Sequence, residues 1–302
     1  MSRILVTGAT GQVATALRER AKAFSGSDLR CVGRPDFDLA LDQSIERALD
    51  AWRPDVIISA GAYTNVDKAE DEPEEAALIN AVAPGVLGRI ASRHGSRVVH
   101  LSTDYVFDGA KPSPYLETDS VAPQSVYGRT KLEGEESLRS SGADHIILRT
   151  AWVYSPFSRN FARTMLTLAM NRSQLNVVDD QIGNPTSALD IADAILTVVQ
   201  RWKAEPRLGL GEIYHCAGTG SASWREFAQS LFNFSRELGG PFAEALPITS
   251  NQWPSKVVRP RYSMLDCGKL ERTFGWRAPH WEESARVVVS RLINENSQDK
   301  RQ

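Results

Sequence analysis

Cysteine and histidine are scarce in this sequence, and their scarcity bears on the kinds of site that it can build. Among 302 residues there are five histidines and three cysteines, Cys31, Cys216 and Cys267. The cysteines are odd in number and far apart, and no group of Cys, His or acidic residues has the spacing of metal ligands. We therefore expect reduced cysteines, no disulfide framework and no metal site of this kind.

An excess of charge of one sign and long hydrophobic runs are also lacking. The formal net charge is −2 and the basic residues are scattered, so no nucleic-acid-binding surface is indicated. No run approaches the roughly 18 apolar residues that a membrane span needs. The start "MSR" leads straight into "ILVTG", which is too short for a signal-peptide core. We expect a cytoplasmic protein with neither nucleic acid nor membrane as a partner.

Short β-branched runs alternate with helical periods through the first half of the chain. Hydrophobic residues make up 42% and charged residues 24%, as in ordinary globular proteins. Strands are predicted at 3–7, 28–33, 55–59, 97–103 and 145–150, with helices at 12–23, 44–52, 74–94 and 126–140. This alternation predicts right-handed crossovers and an α/β fold. The fold expected is a Rossmann-type doubly wound parallel sheet with a smaller mixed α/β substrate lobe.

The alternation of strands and helices becomes less regular after Trp152, where helices are separated by Pro-containing loops and short strands. Helices are predicted at 160–171, 188–202, 224–238 and 282–294, and strands at 175–178 and 213–217. We expect residues 1–152 to form a dinucleotide-binding core that is completed by parts of 175–217. Residues 153–302 would form the substrate lobe, interleaved with the core rather than separate from it.

A glycine-rich loop, "VTGATGQVA", follows the first predicted strand and opens the first helix. Gly8, Gly11 and Ala14 stand at three-residue spacing, which lets phosphate oxygens approach the backbone at a helix amino terminus. A tight turn without a ligand is the alternative. In "CVGRPDFDL", Arg34 stands near the end of the second strand, where an arginine suits the extra phosphate of NADP. NADPH is expected as cofactor, with NADH possible, although Arg34 could equally be a solvated surface residue.

Tyr127 and Lys131 lie four apart in "VYGRTK" and share one face of a predicted helix. A charge at about 4 Å and an effective dielectric of about 20 is worth roughly 4 kcal/mol. Lys131 could therefore lower the phenol pKa of Tyr127 by up to about three units, making it a better proton donor. Thr103 ends the strand that leads to this site, where its hydroxyl could hold a carbonyl oxygen near the phenol.

Together "TGATGQVA", "STDYVF" and "YGRTK" resemble the extended short-chain dehydrogenase/reductase family. Within it, "NVDKAEDEP", "RTAWVYSP", "NFARTML" and "DDQIGNPT" are similar to the dTDP-4-dehydrorhamnose reductases. The resemblance implies a catalytic triad of Thr103, Tyr127 and Lys131. With the glycine loop, it leads us to expect cofactor contacts at Gly8, Thr10, Gly11, Gln12, Val13, Asp38, Leu39, Ala62, Tyr63, Thr64 and Leu101.

The resemblance also implies a nucleotide-sugar substrate, with Asp104 and Trp152 against the sugar and Arg259 near the diphosphate. Core packing is the alternative for Trp152, and a surface loop for Arg259. The reaction implied is NADPH-dependent reduction of the C4 ketone of dTDP-4-dehydro-L-rhamnose to dTDP-L-rhamnose. Another reductase or epimerase acting on a nucleotide-linked 4-keto-6-deoxysugar is an open alternative. So is a noncatalytic NADP-binding regulatory subunit, like the β subunit of methionine adenosyltransferase.

Two further expectations concern assembly and the core. Some members of this reductase family dimerise through magnesium held by glutamates, and the corresponding positions here are Ala16 and Leu189. We therefore do not expect Mg²⁺ to bridge a dimer, and a monomer and another homodimer are equally open. His100, two residues before Ser102 in a buried strand, is interpreted as a core histidine with its hydrogen bonds satisfied.

Overall fold

The protein is described here by a computed structural model, which covers residues 2–24 and 27–299. The strands follow the β-branched runs of the sequence and add short pieces in the second half. Their bounds are β1 Ser2–Thr7, β2 Ser27–Val32, β3 Val56–Ser59, β4 Arg97–Thr103, β5 His145–Thr150, β6 Val153–Tyr154, β7 Gln174–Val178, β8 Ile182–Gly183, β9 Thr186–Ser187, β10 Glu212–His215, β11 Ala222–Ser223 and β12 Glu244–Ile248.

A parallel sheet with the strand order β10-β5-β4-β3-β1-β2 forms the centre of the fold. The chain runs from β1 to β2 on one side and then returns to β3 on the other side of β1. This reversal creates a crevice at the carboxyl ends of β1 and β3, where open α/β sheets bind ligands. The predicted Rossmann-type doubly wound fold is confirmed.

The stretch 175–217 contributes to this sheet only through its last part. β10 pairs with β5 and forms one edge of the sheet, whereas β7 pairs with β12 in a separate two-stranded sheet. β10 lies beside β5 as the next parallel strand of the large sheet. β7 lies instead beside β12, a strand of the second half of the chain. The division into two lobes at residue 152 stays a prediction.

Helices cover both faces of the sheet and build the second half. Their bounds are α1 Gln12–Arg20, α2 Asp42–Trp52, α3 Val66–Ala69, α4 Pro73–Ala77, α5 Ala83–His94, α6 Val126–Arg139, α7 Phe161–Ala169, α8 Ala188–Ala204, α9 Trp224–Glu237, α10 Gly268–Phe274 and α11 Trp281–Asp299. A π-helical segment, Leu78–Val82, joins α4 to α5. Short 3-10 helices lie at Ala21–Ala23, Asp104–Val106 and Ser250–Gln252.

One hydrophobic core runs from the sheet into the second half of the chain. Ile4 and Leu148 of the sheet belong to the same buried cluster as Phe227 of α9 and Val288 of α11. Each fully buried side chain of this kind stabilises the fold by about 1.5–3 kcal/mol. The packing between the two halves is therefore continuous. Across the described ranges, no helix has both the length and the apolar character required to cross a membrane.

Candidate active site

A cleft of about 520 Å³ opens at the carboxyl edge of the sheet, beside β1 and β3. It collects residues from the first strand-to-helix loop, the end of β2, the end of β4 and the first turns of α6. The predicted cofactor and catalytic residues that line it are Gly8, Thr10, Gly11, Gln12, Val13, Arg34, Asp38, Leu39, Ala62, Thr64, Leu101, Tyr127 and Lys131. Residues far apart in the sequence thus meet along one groove.

The glycine loop has the geometry of an anion site. Gly8 has a φ of 93°, which favours glycine, and a Cβ atom there would lie 3.3 Å from the Gly61 Cα atom. Gly11 is the N-cap of α1 and supplies no side-chain cap, and the first turn of α1 carries no acidic residue. The first N–H groups of α1 are consequently free for a phosphate, which the helix dipole also favours.

Arg34 lies at the opposite end of the cleft from the catalytic helix. It follows β2, is exposed and lines the cleft, with no hydrogen bond or ion pair within the described residues. Asp38 lies nearby and its carboxylate accepts a hydrogen bond from the Ala40 N–H at 3.0 Å. A free guanidinium beside the end of β2 is compatible with a phosphate on the adenosine ribose of a dinucleotide.

The helix α6 presents Tyr127 and Lys131 to the cleft. Ser125 caps its amino terminus by accepting a hydrogen bond from the Gly128 N–H at 3.1 Å, which fixes where the helix begins. Thr103 stands at the end of β4, with its hydroxyl close enough to the Tyr127 phenol to affect its pKa. The structure therefore brings the three predicted catalytic residues together, although Thr103 itself stands just behind the lining of the cleft.

The pKa of Tyr127 shifts in the direction opposite to the one expected. Burial raises it to about 12, and the neighbouring Thr103 hydroxyl only partly opposes this rise. The expectation that Lys131 lowers it is wrong for this form of the protein. The reason is that the phenol is buried, so that its desolvation outweighs the opposing effect of Thr103, and Lys131 is not among the groups that shift the pKa.

Lys131 is itself deeply buried, with an exposed fraction of 3%. Burial lowers its pKa to about 8, and the carboxylate of Glu135 on the next turn of α6 opposes that shift. Lys131 therefore remains a cation at neutral pH but loses its proton at a lower pH than an exposed lysine does.

Asp104 lies behind Thr103 rather than in the cleft. It is buried, and its Oδ1 atom accepts a hydrogen bond from the Thr103 hydroxyl at 3.0 Å. Burial raises its pKa to about 6, against the hydrogen bonds that it accepts from Ser263 and Thr103. Within the described residues the second carboxylate oxygen has no partner. The predicted contact of Asp104 with a sugar stays a prediction.

Tyr63 and Arg259 make contacts with the protein instead of lining the cleft. The Tyr63 hydroxyl donates to Glu72 at 2.6 Å, and burial raises the pKa of this phenol to about 12. The Arg259 guanidinium donates to the Asp67 carboxylate at 2.9 Å. Neither side chain lines the cleft in this form of the protein, and the predicted cofactor contact of Tyr63 stays a prediction. The diphosphate contact of Arg259 stays a prediction.

Trp152 also lies outside the cleft. Its φ is 47°, and its indole stacks on that of Trp224 with ring centroids 3.5 Å apart and an interplanar angle of 4°. A Cβ atom on Gly183 would lie 2.6 Å from this indole, so the glycine makes room for it. Trp152 therefore packs at the junction of the two halves, which was the alternative to a sugar contact. The predicted sugar contact stays a prediction.

Several residues that line the cleft escaped the sequence reasoning. The hydroxyls of Ser102 and Thr150 are buried there without a partner among the described residues. Ser158 donates to the Thr10 carbonyl at 2.8 Å and brings the exposed, unpaired Arg159 to the glycine loop. In the sequence, only the position of Ser102 beside Thr103 could have indicated any of these residues. Thr150 and residues 158–159 reach the cleft through packing between distant parts of the chain.

A parallel sheet whose glycine loop faces a Tyr-Lys pair across one cleft defines the class of Rossmann-type dehydrogenases and reductases of the short-chain type. The RmlD substrate binding domain model matches residues 1–294. The chain is 46% identical to a dTDP-4-dehydrorhamnose reductase of Sinorhizobium fredii over 97% of this chain and 98% of that protein. It is 39% identical to the enzyme of that name from Escherichia coli, over 97% of each.

Solved structures agree with these matches. A dTDP-4-dehydrorhamnose reductase from Clostridium acetobutylicum has a TM-score of 0.88 and 35% identity, covering 96% of this chain and 99% of that one. The Bacillus anthracis enzyme, solved in complex with NADP, has a TM-score of 0.87 and 30% identity, covering 95% and 98%. The chain belongs to the RmlD family of dTDP-4-dehydrorhamnose reductases, and it is an oxidoreductase of that type.

Proposed function

We propose that this protein reduces the C4 ketone of dTDP-4-dehydro-L-rhamnose with NADPH, forming dTDP-L-rhamnose in nucleotide-sugar biosynthesis. The observation that carries the proposal is that Tyr127 and Lys131 line one cleft with the glycine loop, with Thr103 beside Tyr127. The names of the relatives supply the sugar and the base. We place the reaction in the cytoplasm, where nucleotide sugars and NADPH are made.

The residues of the cleft fit a dinucleotide. Gly8 and Gly11 admit phosphate oxygens, and the buried hydroxyls of Ser102 and Thr150 lack partners among the described residues. Arg34 and Arg159 offer two unpaired guanidinium groups along its length. When bound there, NADPH would supply the hydride for the reduction.

Tyr127 acts as the general acid. Because burial raises its pKa to about 12, the phenol keeps its proton at neutral pH and can donate it to the oxygen of the ketone as negative charge develops there. We propose that Thr103, which lies beside the same hydroxyl, orients the carbonyl oxygen toward it. In this form of the protein the Thr103 proton is donated to Asp104, so Thr103 can hold the carbonyl oxygen only when that proton turns from Asp104 to the carbonyl.

We propose that, once cofactor and substrate are bound, Lys131 stabilises the negative charge that Tyr127 acquires when it gives up its proton. It lies one turn further along α6 and remains a cation at neutral pH. In this form of the protein it is held by the Leu101 carbonyl. We propose that it also contacts the nicotinamide ribose, since it lines the cleft beside Tyr127.

The proposed activity is tested by following NADPH absorbance with a panel of 4-keto-6-deoxysugars linked to dTDP, UDP and GDP, and by repeating the assay with NADH. We expect one NADPH to be consumed per dTDP-4-dehydro-L-rhamnose, with dTDP-L-rhamnose identified by NMR. Rapid reduction of a different member of the panel would assign the substrate of a related ketoreductase instead.

Two other outcomes separate the remaining alternatives. An epimerase would convert its substrate without net consumption of NADPH. A regulatory subunit would bind NADPH yet oxidise it with no keto-sugar, and it would co-purify with a catalytic partner. The Tyr-Lys pair in the cleft favours an enzyme over this last alternative.

A further inference from the structure

His100 is a buried titratable residue that the proposed reaction leaves unused. It lies on β4, three residues before Thr103, and only 1% of it is exposed. Its Nδ1 atom lies 3.0 Å from the Ser59 hydroxyl at the end of β3, and its Nε2 atom lies 3.4 Å from the Lys131 ammonium. Both ring nitrogens therefore have polar partners, and one partner is a residue of the candidate active site.

Hydrogen-bond chemistry fixes the protonation state of this ring. An ammonium group has three N–H donors and no acceptor, so the Nε2 atom facing Lys131 must accept. The single proton of the neutral ring then lies on Nδ1 and is donated to the Ser59 hydroxyl oxygen. Burial, and after it the charge of Lys131, hold the pKa of His100 well below its usual range, which keeps the ring neutral.

The contacts of Lys131 account for two of its three protons. One N–H is donated to the Leu101 carbonyl at 2.6 Å and a second to His100. The third is left for the cleft that Lys131 lines. Because a lysine side chain has four rotatable bonds, two fixed acceptors on one strand give its head a defined position and direction.

We propose that Ser59 and His100 form a positioning pair that holds the Lys131 ammonium in place and directs its remaining N–H group to the reaction site. This inference rests on the proposed function only in the step that Lys131 serves. His100 is a positioning residue, since it acts through Lys131 and does not line the cleft itself.

Other charged groups around Lys131 have to be considered in any test that uses pH. Glu135, one turn along α6, raises the pKa of Lys131 and is itself held by Arg149 of β5 at 2.6 and 2.9 Å. His145 of β5 lies close enough to His100 to lower its pKa. Neither group makes a hydrogen bond to Lys131 among the described residues, so His100 and the Leu101 carbonyl are its direct acceptors.

The test compares His100→Leu, which removes the acceptor, with His100→Gln, whose side-chain oxygen can replace Nε2. For His100→Leu we expect kcat to fall about 10- to 100-fold, the range for one hydrogen bond to a charged group. In the pH profile of kcat, the fall in activity on the alkaline side, the alkaline limb, should begin at a lower pH than in the wild type. The reason is that the ammonium form of Lys131 loses an acceptor. The KM for the keto-sugar should stay within about twofold. His100→Gln should recover most of the activity and the alkaline limb.

His145→Leu is the matched control, since His145 is a buried histidine of the neighbouring strand whose Nδ1 atom faces the Ala143 carbonyl. It should leave kcat and the alkaline limb as in the wild type. Ser59→Ala, a smaller change, should reproduce part of the His100→Leu effect and covers the case in which His100→Leu does not fold. Wild-type kcat and alkaline limb in His100→Leu, or an equal loss in His145→Leu, would overturn the proposal.

A measurement without substrate separates this proposal from the reductase activity. The proton titration of Lys131 can be followed by NMR in lysine-labelled protein, with Lys131→Met used to assign the signal. In His100→Leu we expect the titration to move to lower pH, and an unchanged titration would contradict the positioning pair. If the shift is found while no keto-sugar is reduced, the proposed function fails and the pair stands.

Discussion

Two arginines line different parts of the cleft, and we propose that they bind different parts of a dinucleotide. Arg34 follows β2 at the adenosine end, whereas Arg159 is brought to the glycine loop by the hydrogen bond between Ser158 and Thr10. Both guanidinium groups are exposed and unpaired within the described ranges. Arg34 should therefore recognise the phosphate that only NADPH carries, and Arg159 the diphosphate that NADPH and NADH share.

We predict that Arg34→Gln raises the Kd for NADPH about 10- to 100-fold, the size of one lost charge-assisted contact, and leaves the Kd for NADH unchanged. Arg159→Gln should weaken both cofactors to a similar degree. Titration of cofactor fluorescence with the two variants measures this difference. Equal effects of Arg34→Gln on both cofactors would show that Arg34 does not read the extra phosphate.

At the scale of residues, features that lie within one turn or loop were predicted from their spacing. Contacts between residues that are distant in the sequence were not. The glycine loop and the Tyr127 and Lys131 pair were predictable because each lies within one turn or loop. The partners of Lys131 on β4 and the position of Arg159 beside the glycine loop were not predictable, because they depend on how strands and loops pack. The pKa of Tyr127 was predicted in the wrong direction because burial cannot be read from helical spacing.

At the scale of elements, the π-helical segment between α4 and α5 connects the loop that follows β3, residues 60–65, to α6. Asn80 of this segment accepts from the Tyr63 N–H at 2.9 Å and donates to the Tyr63 carbonyl at 3.0 Å. It also donates to the Thr130 hydroxyl of α6 at 3.3 Å. At Gly134 of α6, a Cβ atom would lie 2.0 Å from the Asn80 carbonyl oxygen, so the two helices are in close contact.

We predict that Asn80→Ala lowers the free energy of unfolding by about 1–3 kcal/mol, because it leaves polar groups of Tyr63 unpaired. It should also weaken NADPH binding, since residues 62 and 64 line the cleft. Urea denaturation and cofactor titration measure the two effects. Asn65→Ala, which removes the cap of α3, is the control and should lower stability without changing cofactor affinity. Unchanged NADPH binding in Asn80→Ala would contradict the connection.

The contact between α8 and α11 contains a buried carboxylate. Asp190 of α8 accepts a hydrogen bond from Ser284 of α11 at 2.6 Å, and burial raises its pKa to about 6. For an acid whose pKa is raised on folding, the folded state binds more protons, so stability falls as pH rises from about 4 to about 6. Above that range the carboxylate destabilises the fold, by at most about 3 kcal/mol.

We predict that Asp190→Asn, which keeps an acceptor for Ser284, raises the Tm at pH 7.5. The difference from the wild type should shrink as the pH approaches 4, where Asp190 is protonated in the wild type. Thermal unfolding across this pH range provides the measurement. A lower Tm of Asp190→Asn at pH 7.5 would show that the charged form of Asp190 is stabilising after all.

Element assignment from the sequence succeeded where the hydrophobic pattern is continuous and failed to place isolated strands. The strands β3 and β5 are buried on both faces and read as apolar runs, so their existence was predictable, whereas β2 is only partly buried and gives a weaker pattern. The predicted strands near 175 and 213 have similar patterns, yet only β10 joins the large sheet. The pairing partner of a strand is a long-range property, which periodicity does not contain.

At the scale of the whole molecule, α1 and α8 pack their small and apolar residues inward. Ala16 is fully buried and Leu189 is 3% exposed, so neither position faces outward. Among the described residues no group of three or more His, Cys, Asp or Glu side chains could hold a metal ion. We predict that EDTA changes neither the molar mass by light scattering nor the activity. Dissociation on EDTA that magnesium reverses would contradict this.

The most direct test of the proposed mechanism is the kcat of Tyr127→Phe with NADPH and dTDP-4-dehydro-L-rhamnose. This change removes the hydroxyl that meets Thr103 and keeps the ring that packs edge-on against Tyr105 at 5.6 Å. We predict that kcat falls about 10²- to 10⁴-fold, as for loss of a general acid, while the Kd for NADPH stays near that of the wild type. A variant that consumes NADPH as fast as the wild type would contradict the assignment of Tyr127 as the proton donor.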